Sequence, residues 1–338
     1  MNIHDDMLKP AYVSTGHLPS PRTVRALLEA THARFQDNDE GENASHYPAL
    51  AEVPRHLFGL CLTATDGEMY AIGDAEVPFT IMSVAKPFVL ALVCQALGPD
   101  VVRKKVGVNA TGLPFNSVMA VELQPNNLTN PMVNSGALAT TSLAPGATVE
   151  AKWEFLHDGL SRFAGRALSL NAAVYASASA TNHRNQGIAR LLWGYERLYF
   201  DPMATTELYT RQSCLDVTAR DLAVMGATLA NGGVNPVTGE QVVKAGIDPY
   251  VLAVMATAGM YETSGDWLYD IGLPGKSGVS GGIITVAPGK GGLGAFSPPL
   301  DRAGNSVRGQ LAAYYLSDQL GLNLFVSKPS KTETDARS

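Results

Sequence analysis

Apolar runs of strand length stand near both ends of this chain, and helical periodicity fills most of the sequence between them. Leu57–Thr63 (LFGLCLT) reads as a buried strand, Asp66-Gly67 is a hairpin turn signal, and Glu68–Gly73 returns as the partner strand. Pro78–Ser83 is a short extended piece, followed by a helix from about Ser83 to Leu97. Trp153–Ala164, Asn185–Leu198 and Thr218–Asn231 carry apolar residues at three- and four-residue spacing. Thr218 with Asp221 has the form of a helix start, and Asn231-Gly232-Gly233 that of a stop. Strand character returns only after about residue 272, in Gly282–Ala287 and Gly292–Ser297, ahead of a last amphipathic helix over about 305–320.

Such a chain folds most simply if its two ends pair into one antiparallel sheet. The expected class is α+β: a sheet built from both chain ends, flanked by helices, with a helical subdomain inserted beside it. The sheet half takes about 20–90 and 265–325, the helical half about 91–264, within one catalytic domain spanning 1–338. The polar tail 327–338 is expected to be disordered. A cleft between two such halves is a natural substrate site.

Composition narrows the function. The formal net charge of −6 over 338 residues removes a non-specific pull toward nucleic acid or anionic lipid. The longest strongly apolar run, Phe88–Leu97, has half of the roughly 20 residues that a membrane span needs. The opening MNIHDDMLKP lacks a basic stretch followed by an apolar core, so a cytoplasmic protein is expected rather than a secreted one. Cys61, Cys94 and Cys214 are far apart in apolar surroundings and read as buried free thiols. The seven histidines form no metal-ligand pattern, so neither a metal nor a cofactor is expected. Charged residues make up 17% of the chain, against roughly 25% in an average soluble domain, so part of the surface is expected to be buried against a partner.

The chemistry centres on Ser83 and Lys86 in MSVAKPF, at a strand-to-helix junction. Residues three apart share a helix face. A serine hydroxyl attacks only when something takes its proton, and a desolvated lysine with a lowered pKa can do so. Ser-x-x-Lys alone is common by chance, but Lys276-Ser277-Gly278 follows later, just ahead of the glycine-rich C-terminal strands. Penicillin-recognising serine hydrolases combine these two motifs. Nine glycines in 272–294 imply a backbone held close to something, with N–H groups there able to complete an oxyanion hole.

The segments FTIMSVAKPF, NPMVNSGALATTSL, HRNQGIA, LANGGVNPVTGE, GMYETSG and GLPGKSGVSGGI, in this order, resemble the serine-dependent glutaminase family over about residues 40–325. The resemblance implies a serine β-lactamase/DD-peptidase-like fold, hydrolysis of the side-chain amide of L-glutamine without a cofactor, and a homodimer or homotetramer. It implies Ser83 as nucleophile, Lys86 as its base and Tyr261 as proton relay. A phenol beside a lysine ammonium is expected to shift toward phenolate. The N–H groups of Ser83 and Val279 match the family's oxyanion hole. Asn134, Asn185 and Tyr209 match the groups that hold the substrate α-carboxylate; as neutral donors they leave no unpaired charge in an empty site.

The departures from the family fall in one place. Met82 stands where a glutamine usually precedes the nucleophile, Ala178 where a glutamate stands seven residues before Asn185, and His46 where a tyrosine is usual. Tyr47, one residue off, is expected to point elsewhere. Asn109-Ala110-Thr111-Gly112 also replaces Glu-Pro-Ser-Gly. The family's Glu and Gln hold the α-ammonium of glutamine. Removing one member of a buried ion pair costs about 3–5 kcal/mol, or roughly two to three decades in affinity. Two readings follow. Either the substrate is an amide acid lacking or modifying the α-amino group, or L-glutamine is retained and another group, such as His46 or a partner subunit, holds its amine. A penicillin-recognising hydrolase and a non-catalytic relative are the alternatives of other classes.

Overall fold

The computed structural model describes residues 17–45 and 47–326. Eight strands are present among them: β1 (Gly59–Ala64), β2 (Met69–Gly73), β3 (Phe79–Thr80), β4 (Ser169–Leu170), β5 (Leu215–Val217), β6 (Gly275–Ser277), β7 (Gly282–Ala287) and β8 (Gly291–Phe296). Five of them form one antiparallel sheet in the order β2-β1-β8-β7-β6. The two chain ends meet at β1 and β8, where Gly59 lies opposite Phe296 and Ala64 opposite Gly291. The α+β sheet expected from the sequence is therefore the sheet that forms.

Every residue of β1, β7 and β8 is buried, because helices cover both faces. Alternate residues of a strand point to opposite faces. Ile284 and Val286 pack with Leu222, Met225 and Leu229 of the helix Ala219–Ala230. Ile283, Leu293 and Ala295 pack on the other face with Leu28 of the helix Pro21–Phe35 and with Ala312 and Leu316 of the helix Val307–Gln319.

The glycines of β8 have a specific purpose. A Cβ on Gly292 would lie 2.4 Å from the Ala223 carbonyl oxygen, and one on Gly294 would lie 2.0 Å from that of Ala219. The helix rests directly on the strand backbone. The close approach that the nine glycines imply is thus, at Gly292 and Gly294, an approach of the protein's own helix. The Cβ position of Gly278 instead stands 3.1 Å from the Ile81 carbonyl beside the Met82–Val84 turn.

Two features were not expected. The helix Ala219–Ala230 lies within 91–264 yet packs on the sheet, so that part of the stretch belongs with the sheet half. Three short strands in the order β3-β5-β4 form a second ribbon leading to the turn that carries Ser83. Phe79 of this ribbon stacks on Phe296 of the main sheet at 4.1 Å, locking the two together. The tail 327–338 lies outside the described residues.

Among the described residues no single helix is long and apolar enough to cross a membrane; one bent pair, Met82–Leu97 with Pro99–Val106, passes on length and composition together. Residues 85–94 of its first helix are buried in the protein core.

Candidate active site

The ribbon delivers the chain into a tight turn. Ile81 donates its N–H to the Leu215 carbonyl of β5 at 2.9 Å, and Ser280 Oγ donates to the Thr80 carbonyl at 2.6 Å. Both extended segments are thereby pinned just before a 3-10 turn, Met82–Val84, that runs into the helix Ala85–Leu97. Met82 adopts a φ of +46°, a left-handed conformation rare for a residue with a Cβ. Tyr261 does the same at +55°. Such strained residues persist where the surroundings over-determine them, and both stand at this site.

Between the two halves lies a cleft enclosing about 460 Å³ of empty space, part of it open to solvent. Ser83, Met82, Asn134, Ala178, Asn185, Tyr209 and Val279 all line it. These residues come from separate stretches: the Met82–Val84 turn, the helices Asn134–Ser142, Ala172–Thr181, His183–Gly194 and Pro202–Ser213, and the segment after β6. Lys86 and Tyr261 stand behind the lining. Thus nine of the ten residues singled out from the sequence converge. The tenth, His46, lies outside the described residues.

Lys86 is buried, and its Nζ donates to Asn134 Oδ1 at 2.7 Å and to the Met132 carbonyl at 3.3 Å. Burial pushes its ammonium pKa down to about 7. The Tyr261 hydroxyl donates to the Ser277 carbonyl at 3.1 Å. Burial raises the pKa of this phenol, and the hydroxyl of Ser83 opposes the rise only in part. The expected shift toward phenolate is therefore reversed: desolvation of the phenolate outweighs any attraction from a lysine, and Tyr261 rests as a neutral O–H. Tyr209 behaves alike, raised by burial with Ser83 beside it; its hydroxyl donates to Asn134 Oδ1 at 3.1 Å.

Lys276 is fully buried and is the group the sequence reading left unassigned. Its Nζ sits 4.4 Å from the centre of the Tyr261 ring and donates to the carbonyls of Gly259 at 2.9 Å and Ser277 at 2.6 Å. Burial, and then the charge of Lys86, hold its pKa well below the ordinary lysine value. The Lys-Ser-Gly motif was the available signal.

The wall beside Met82 and Ala178 is apolar. Ala178 packs in one cluster with Met82, Val174, Cys214, Tyr261 and Val279, and with the partly buried Tyr47 and Phe115. Tyr47 lines the cleft, correcting the expectation that it points elsewhere. It immediately precedes the short helix Pro48–Ala51, which packs against Ala172–Thr181 and holds the tyrosine over the site. Asn182, Thr210 and Ser213 also line the cleft and had escaped notice, since isolated polar residues within helical stretches carry no motif. The three cysteines are free and buried. Among the described residues no group of His, Cys, Asp and Glu gathers as a metal site.

Comparison with known proteins accords with this geometry. A family model described as Glutaminase matches residues 41–325. The chain is 62% identical over 318 residues to "Glutaminase 2" of Yersinia pestis, with 94% of each chain covered. The solved structure of a probable glutaminase, ybaS, superposes with a TM-score of 0.90 at 42% identity, covering 91% of this chain and 100% of that one. A covalent complex of the Bacillus subtilis glutaminase YbgJ with 5-oxo-L-norleucine superposes with a TM-score of 0.79 at 30% identity, covering 90% and 99%.

Proposed function

The chain belongs to the glutaminase family, an amidohydrolase of serine-β-lactamase-like fold acting on a linear amide, and from that premise we propose that it works through Ser83 and Lys86 on a glutamine-like amide whose α-amino group is absent or modified. The observation that carries the catalytic part is a buried serine in the cleft wall together with a buried lysine of lowered pKa behind that wall, bonded to the lining residue Asn134.

The steps follow from these groups. Ser83 Oγ attacks the amide carbon as its proton passes to neutral Lys86 Nζ. The carbonyl oxygen takes up negative charge between the N–H groups of Ser83 and Val279. As the C–N bond breaks, the Tyr261 hydroxyl gives its proton to the departing nitrogen, which leaves as ammonia, and regains one from the Lys86 ammonium, so that both groups end neutral. A water then adds to the acyl-serine, and the carboxylic acid product departs with Ser83 protonated again. The covalent complex that YbgJ forms by reaction with 6-diazo-5-oxo-L-norleucine supports a nucleophilic path, since displacement of dinitrogen from a diazo ketone needs a nucleophile on the protein. Asn134, Asn185 and Tyr209 hold the α-carboxylate.

The pH dependence is set by Lys86. Its amine must be unprotonated to accept the serine proton, so kcat/KM is expected to rise with pH through about 7 and then level off. A profile flat from pH 5 to 9 would exclude Lys86 as the base. Stability moves in the same direction. Between about 7 and the ordinary lysine value near 10.5 the unfolded chain binds the extra proton, so stability grows as pH rises across that window.

Specificity rests on Ala178 and Met82. An α-ammonium beside Ala178 and Met82 would face a methyl group and a thioether, and the polar groups elsewhere in the lining, Tyr47, Asn182, Thr210 and Ser213, are uncharged. No carboxylate lines the cleft among the described residues. An ammonium desolvated without a partner is strongly disfavoured. The test is ammonia release from L-glutamine, D-glutamine, L-asparagine, glutaramate and N-substituted γ-glutamyl amides. Glutaramate is expected to exceed L-glutamine in kcat/KM. If L-glutamine exceeds it tenfold, the altered-substrate reading is wrong and that of an ordinary glutaminase stands.

The protein is also proposed to be a homo-oligomer. Val118, Met119, Leu123 and Trp193 are apolar and exposed, in keeping with the low charge content.

A further inference from the structure

Along one wall of the cleft, side-chain amides and hydroxyls join end to end, and the direction of the whole chain can be read from its far end. The Thr206 carbonyl is an acceptor only. Thr210 Oγ1 lies 2.7 Å from it and commits its single hydrogen there. That oxygen then has only lone pairs to offer, so the Asn182 group 2.6 Å away must be the Nδ2 donor. Asn182 Oδ1 is thereby turned to Asn185, whose Nδ2 donates to it at 2.7 Å. Asn185 Oδ1 in turn accepts from Asn134 Nδ2 at 3.0 Å. Asn134 Oδ1 is left at the near end, where it accepts from Lys86 Nζ.

Asn182 occupies the N-cap position of the helix His183–Gly194, yet its side chain makes no capping bond. It is diverted into this chain instead. All four polar residues from Asn134 to Thr210 are buried.

We infer that Thr210 is a positioning residue which, through Asn182 and Asn185, fixes the orientation of Asn134 and so keeps the Lys86 lone pair available to Ser83. The inference rests on the reading of Ser83 and Lys86 given above. With Asn134 reversed, its NH2 would face the amine. Neutral Lys86 could meet that group only by accepting from it, with the same lone pair that the serine proton requires. An ammonium there would face a donor and be disfavoured. The other groups bearing on Lys86 are the Met132 carbonyl, which accepts from Nζ at 3.3 Å, the Tyr209 ring centred 5.9 Å away, and the charge of Lys276. The Tyr209 hydroxyl also donates to Asn134 Oδ1, at 3.1 Å, but a hydroxyl there can equally accept from a reversed amide; the contact on the Nδ2 side is the one from Asn185.

The test compares Thr210→Val, Thr210→Ala and Thr210→Ser in the full chain, using whichever amide the native protein hydrolyses best. The two variants without a hydroxyl are expected to lose at least tenfold in kcat/KM and to shift the acid limb of the pH profile to lower pH. Thr210→Ser is expected to keep both within twofold. Native rate and limb in Val or Ala overturn the inference. So does a serine variant as impaired as the others, since that would mark a packing role. So does a result in which neither hydroxyl-free variant folds while the serine variant does. Ser83→Ala run alongside separates the two levels: full ammonia release from it removes the underlying mechanism, whatever Thr210 does.

Discussion

Ser83→Ala is expected to abolish ammonia release from every amide the protein hydrolyses, a loss of at least about four decades in kcat. The size follows from the geometry. Among the described residues no other hydroxyl of the cleft stands on the Met82–Val84 turn, with the Val279 segment in the same lining and the buried Lys86 one turn further along. The loss is expected in kcat with folding intact, because Ser83 is a small side chain at the cleft wall and the turn is held by Ile81 and Ser280 through backbone contacts. A thermal melt within a few degrees of native, together with loss of turnover, is the supporting pair of results. Turnover within tenfold of native would remove Ser83 as the nucleophile and with it the acyl-enzyme path.

Ala178→Glu combined with Met82→Gln is expected to reverse the substrate preference. A carboxylate at 178 would face the α-ammonium at a buried position of the cleft wall, and forming that pair is worth roughly two to three decades in kcat/KM for L-glutamine relative to glutaramate. The same substitution has an opposite effect on the free protein. Ala178 is 3% exposed among Val174, Met82 and Cys214, so a glutamate there loses its hydration without a partner. The ligand-free variant is therefore expected to melt lower than native, and an α-amino ligand such as L-glutamate is expected to restore it more than glutarate does. A folded double variant with the native glutamine-to-glutaramate ratio would show that neither position reads the α-substituent.

The sequence carried the element order well because strands and helices differ in local period, and period survives without tertiary information. The helix placed at Thr218–Asn231 forms over Ala219–Ala230 with the Thr218–Asp221 capping box intact. The β1–β8 pairing was also legible, since strands at opposite ends have few other partners. The β3-β5-β4 ribbon was not: strands of two and three residues are too short to show alternation. Tyr47 was misplaced because a count along the chain does not reveal how the following short helix tilts the residue before it.

The site divides along the same line. The identities of Ser83, Lys86, Tyr261 and the amide residues, and the absence of a glutamate at 178, belong to the sequence alone, because they concern which chemical groups exist. Their ionisation and orientation were decided by the tertiary structure. Lys86 is poised near neutrality and Tyr261 stays a phenol because each is desolvated by segments far away in the chain. The direction of Asn134 is traced to a helix carbonyl at Thr206, four bonds beyond it. Desolvation and hydrogen-bond polarity belong to a group's surroundings, and those surroundings come into being only when the chain has folded.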